Sequence, residues 1–131
     1  MEAIHVLVNS PGTAFYRYLR DHLPRARFEV VESGPGDDFL QNVSRLRPEV
    51  AVLGRVGERA HDVLREVRAV QQARSGAIVV SVNTVPTTRQ AAAVARMSRH
   101  YVDGTQLGRP IGPELVGLIL ASVGDSGPLD A

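Results

Sequence analysis

Arg47-Pro48-Glu49-Val50-Ala51-Val52-Leu53-Gly54 is the stretch on which the fold turns. Pro48 disfavours helical backbone at Arg47, so a preceding helix is expected to close there. From Val50 to Leu53 four apolar residues follow without a polar break, and Gly54 ends the run. A short continuous apolar run between breakers predicts a strand, Glu49–Leu53, buried on both faces as in a parallel sheet under helices. Two runs of the same kind lie upstream, Ile4–Val8 and Phe28–Glu32. Downstream come Ala77–Val82, rich in β-branched residues, and the weaker His100–Val102.

Helical patterns fill the gaps. Thr13–Leu23 carries Phe15, Leu19 and Leu23 on one stripe and stops at Pro24. After the Ser33-Gly34-Pro35-Gly36 breaker, Asp37 or Asp38 starts a helix with Phe39, Val43 and Leu46 inward, its acids suiting the N-terminal dipole. Ala60–Gln72 follows with an expected stripe of Ala60, Leu64 and Val67. Thr87 and Gln90 have capping-box spacing for a helix to about Arg99. Pro113–Val123 is the last helix. The expected organisation is one domain over residues 1–123, with 124–131 a loose tail. Five strands alternating with five helices predict a three-layer α/β sandwich. Right-handed crossovers give the flavodoxin-like strand order 2-1-3-4-5.

Bulk properties narrow the function. The 131 residues suffice for one domain with a real core. The content of 44% hydrophobic and 22% charged residues is that of an ordinary globular protein. Net charge is +1 with scattered arginines, so no basic stripe points to direct nucleic-acid binding. Cysteine is absent, which excludes disulfides and thiolate metal sites. No apolar run approaches the ~20 residues of a membrane span, and no signal-peptide core precedes the first strand. The expectation is a soluble cytoplasmic protein.

Ligands of such sheets gather beyond the carboxyl ends of the strands. Val6-Leu7-Val8-Asn9-Ser10 resembles the opening of the receiver domains of bacterial response regulators, in which an apolar strand runs into two acidic residues. Phe28–Glu32 looks like their second strand. Arg47–Gly54 is similar to the entry into their phosphorylated strand, and Arg109-Pro110-Ile111-Gly112-Pro113-Glu114-Leu115 to their Lys-Pro turn and last helix. The resemblance covers essentially the whole chain and implies a flavodoxin-like signalling module.

It also marks the departures. The family's acidic pair corresponds to neutral Asn9 and Ser10, and its phosphoacceptor aspartate to Gly54. Phosphotransfer to a carboxylate needs a nucleophilic oxygen and a divalent cation, and magnesium favours carboxylate oxygens. Gly54 has no side chain to phosphorylate, and Glu58 and Asp62 lie beyond the strand end. The family's Ser/Thr after the fourth strand corresponds to Ser81, or to Val82 or Asn83 in a longer strand. Its lysine corresponds to Arg109 if Pro110 anchors the turn, or to Gly104 if Tyr101 marks the fifth strand. The degenerate phosphorylation pocket is therefore Asn9, Ser10, Gly54, Ser81 and Arg109, with no metal and no cofactor expected.

Other constellations are sparse. Ser10-Pro11-Gly12-Thr13 joins a strand to a helix N-terminus and is a candidate anion or ligand loop through Ser10, Gly12 and Thr13. No Walker A or G-x-G-x-x-G motif occurs. His5, His22, His61 and His100 lack metal-ligand spacing and read as structural or surface residues. No serine has a nucleophile elbow, and no catalytic residue is assigned. The last helix places Leu115, Leu118, Ile119 and Ser122 on a core stripe, and Val116, Leu120 and Val123 on a second. With Tyr101, that second stripe is a candidate interface for a protein partner or a homodimer. The leading expectation is a receiver-like module working by protein–protein contact without phosphorylation at the usual position. The alternative is a flavodoxin-like binder of a small ligand or nucleotide at Ser10–Thr13.

Overall fold

The computed structural model describes residues 3–10, 13–54, 56, 59–83, 89–103 and 111–124. The apolar runs form β1 (Ile4–Asn9), β2 (Phe28–Glu32), β3 (Val50–Leu53), β4 (Ile78–Asn83) and β5 (His100–Asp103). Between and after them lie α1 (Phe15–His22), α2 (Asp37–Leu46), α3 (Ala60–Ala73), α4 (Arg89–Met97) and α5 (Ile111–Gly124). All strands are parallel, in the order β2-β1-β3-β4-β5. This is the flavodoxin-like sandwich expected from the sequence.

Strand alternation divides the core. Val6, Val8, Val50, Val52, Val80 and Val102 face Leu19 of α1 and Leu115 and Ile119 of α5. Leu7, Ala51, Leu53 and Val79 face Phe39 and Val43 of α2, Val63, Val67 and Val70 of α3, and Val94 of α4. Successive side chains point to opposite faces of a strand, so a sheet covered on both sides needs apolar residues at every central position.

Several boundaries differ from expectation for local reasons. α1 begins at Phe15, not Thr13, because the Thr13 hydroxyl donates to Ser10 O at 2.7 Å and accepts from Phe15 N–H at 3.3 Å, holding a turn. Leu23 is extended ahead of Pro24. α5 begins at Ile111 and carries Pro113 in its first turn, where no helical N–H is required. The α3 stripe is Ala60, Val63, Glu66, Val67 and Val70, with Leu64 only half-buried. Gly124 closes α5 instead of starting the tail, and residues 125–131 lie outside the described residues. So does Thr87 of the expected capping box.

The lower ends of α2 and α3 are tied reciprocally. Arg47 caps α2 in the left-handed region, φ 44°, a conformation that L residues adopt at some cost. Its Nε donates to Ala73 O at 2.9 Å, while Arg74 Nε donates to Arg47 O at 2.8 Å. Each guanidinium thus meets carbonyls that the other helix leaves unpaired, where positive charge suits the dipole. Arg47→Ala and Arg74→Ala should each lower stability by about 0.5–1 kcal/mol. Urea denaturation should show the double variant losing less than the sum, because the two share one arrangement.

Candidate functional site

The carboxyl edge of the sheet carries three polar residues and a leucine in one register row. Asn9, Leu53, Ser81 and Tyr101 are successive partners across β1, β3, β4 and β5. Asn9 and Ser81 have the parity of Leu7 and Val79, so they lie on the α2–α3–α4 side, each 0% exposed. Gly54 N–H donates to Asn9 O at 3.0 Å, joining the ends of β1 and β3.

A carboxylate does stand at this edge, but on α3. Glu66, 1% exposed, accepts from Asn9 Nδ2 at 2.9 Å on Oε1 and from Gly36 N–H at 3.1 Å on Oε2. Arg59 Nη2 lies 3.4 Å from Oε1 and 3.2 Å from Oε2. One side chain therefore ties the end of β1, the β2–α2 turn and the N-terminus of α3. Burial pushes the Glu66 carboxyl above the usual carboxylate range, against the opposing pull of Gly36 N–H, Arg59 and Asn9. Among the described residues, Asn9 Oδ1, Arg59 Nη1 and Ser81 Oγ are buried without a hydrogen-bond partner. All three belong to this edge.

On the opposite side of the sheet, Gly54 is closed in. A Cβ added there would lie 2.6 Å from Ser10 Cβ and 2.9 and 3.0 Å from two ring atoms of Phe15. Ser10 and the first residue of α1 already fill the space that a side chain at position 54 needs.

These residues do not fit the divalent cation that the receiver resemblance implies. Such a cation needs several anionic oxygens. Here Asn9 and Ser10 are neutral, Gly54 supplies none, and both Glu66 oxygens already accept from Arg59 and neighbouring N–H groups. Among the described residues, no group of three or more His, Asp or Glu residues is arranged to hold a metal ion.

Asn9, Ser10, Gly54 and Ser81 come together at this edge, divided between the two faces of the sheet. Arg109 and Gly104 lie outside the described residues, as do Gly12 and Glu58. The chain has no lysine at any position, since all 15 basic Lys+Arg residues are arginines. Thr13 spends its hydroxyl within its own turn. His5 bridges Glu29 and Glu49 at the opposite edge, His22 stacks on Tyr18, and His100 bonds Ser122. Val116, Leu120 and Val123 are half-buried against the core, and Tyr101 is 36% exposed on the edge strand. No helix among the described residues is long and apolar enough to cross a membrane.

Sequence reasoning missed Glu66 and Arg59. Glu66 sits three residues after Val63 and four before Val70, so the spacing of the valines marks a carboxylate on the buried face. A stripe drawn through the half-buried Leu64 instead leaves Glu66 off the buried face.

No protein-family profile matches the chain, and no curated protein matches it. Solved structures do. A CheY-like response regulator from Mesorhizobium loti superposes with a TM-score of 0.65 and 21% identity, over 92% of this chain and 99% of its own. An orphan response regulator of H. pylori, HP1043, gives 0.69 and 15%, over 92% and 96%. The BeF3-activated DrrB receiver domain gives 0.68 and 13%, over 93% and 98%. The chain has the receiver fold along nearly its whole length.

Proposed function

We propose that this chain is a receiver-like signalling module that works through protein contact, without accepting a phosphoryl group at the end of β3. The observation that carries the reading is Gly54. It lacks the nucleophilic oxygen such a transfer requires, and Ser10 and Phe15 occupy the room a replacement would take. The pairing of Glu66 with Arg59 supports it, since the nearby carboxylate already has its counter-charge. Signalling then falls to surfaces. We assign the partner surface to the β5 edge of the sheet, with Tyr101 on its α4 side and Val116, Leu120 and Val123 of α5, half in view, on the other. The occupant is a protein partner or a second copy of the chain. The small-ligand reading of Ser10–Thr13 is weaker, because the Thr13 hydroxyl already has two partners.

Treatment with acetyl phosphate and Mg²⁺, followed by intact-mass measurement, tests the reading. The expected spectrum is unchanged. An acid-labile gain of one phosphoryl group mapped to the carboxyl edge would overturn it.

A further inference from the structure

We propose that Glu66 is a proton-operated latch on the three connections at the carboxyl edge. As a carboxylate it gathers Asn9 Nδ2, Gly36 N–H and Arg59. As a neutral acid it keeps Gly36 on its carbonyl oxygen, donates its hydroxyl to Asn9 Oδ1, and releases Arg59 to solvent. The proton comes from water and returns there. The latch goes beyond the proposed function, and its chemistry does not depend on that reading.

Two features of the geometry carry it. Asn9 Oδ1 is buried and unpartnered, while Nδ2 of the same amide binds Glu66 Oε1. A half-turn of the amide exchanges donor for acceptor, so the pair makes a sound hydrogen bond in either protonation state. Arg59, meanwhile, grips the carboxylate with Nη2 alone, and Nη1 has no partner. A two-armed guanidinium fork would hold much harder. The Arg59 side chain is 21% exposed and so has a path outward.

The charged surroundings are simple. Arg59 is the charged group in contact with Glu66. On the α2 side Asp37 and Asp38 are exposed, and Asp38 turns back to Gly34 N–H and Ser33 Oγ. On α3, His61 and Asp62 are exposed, while β1 and β3 bring apolar side chains and Asn9. Arg55 and Glu58 lie outside the described residues. Desolvation of the carboxylate supports the same direction, raising its proton affinity.

The test is an NMR titration of the full chain from about pH 8 to about pH 4, spanning the carboxylate range. Glu66 Cδ, the Gly36 amide, the Asn9 side-chain amide and Arg59 Nε are expected to move with one midpoint, above the ordinary carboxylate range. Glu66→Gln should abolish the movements at Gly36, Asn9 and Arg59. If that variant fails to fold, Arg59→Met keeps the carboxylate and should shift the common midpoint upward. Titration of Glu66 within the ordinary carboxylate range would overturn the latch. So would titration of Glu66 while Gly36, Asn9 and Arg59 stay still. Phosphoryl uptake at this edge would overturn the proposed function and leave these titrations untouched, so the two failures are distinguishable.

Discussion

Gly54→Asp, which restores the residue that phosphorylation would need, should destabilise the protein by about 3 kcal/mol or more. The Cβ alone arrives 2.6 Å from Ser10 Cβ and against the Phe15 ring, so both must give way. Overpacking of that kind costs about 1–3 kcal/mol, and Gly54→Ala isolates it. The carboxylate adds the penalty of a charge placed against an aromatic ring in a buried position. Denaturant unfolding measures both variants. Combining Gly54→Asp with Phe15→Ala, which opens the space, should recover part of the loss. Stability within about 0.5 kcal/mol of the natural chain for Gly54→Asp would mean that the edge has room after all.

The second large effect lies across the sheet. Arg59→Ala leaves Glu66 buried without its counter-charge, and breaking a buried pair in this way costs about 3–5 kcal/mol. Glu66→Ala should cost less, because Arg59 can turn into water while Glu66 cannot. Replacing both, as Arg59→Met with Glu66→Leu, should cost less than Arg59→Ala alone, although Asn9 Nδ2 and Gly36 N–H then lose an acceptor. The loss in Arg59→Ala also depends on pH. A buried acid with raised proton affinity keeps its proton in the folded chain after the unfolded chain has released it. Its contribution is full below the unfolded value and declines as pH rises through the folded one. Arg59→Ala should therefore be weakest at alkaline pH and partly relieved on acidification. A flat profile would mean that Glu66 is already neutral in the natural protein.

The sheet was most legible in Val50–Leu53, because a strand covered on both faces has no polar alternation to blur it. Phe28–Glu32 lies at the sheet edge with Glu29 and Glu32 exposed, and was marked mainly by the breaker that follows it. Pro48 and Pro24 marked helix ends through local sterics. The missing side chain at Gly54 was also plain in the sequence. That Ser10 and Phe15 close over it was not, because that packing depends on how β1 hands the chain to α1. Glu66 escaped for a subtler reason. Stripes through Val63 or through Leu64 both satisfy a 3.6-residue period, and only the angle at which α3 settles on β1 and β3 chooses between them.

The paired arginines at the far end have a mechanical meaning when set beside Glu66. α2 is pinned at its start to the middle of α3 through Gly36 and Glu66, and the two helices are riveted at their finishes through Arg47 and Arg74. Sliding one past the other would strip both fastenings together. Undoing the upper fastening alone leaves a pivot below, so the two helices would splay like shears rather than drift apart.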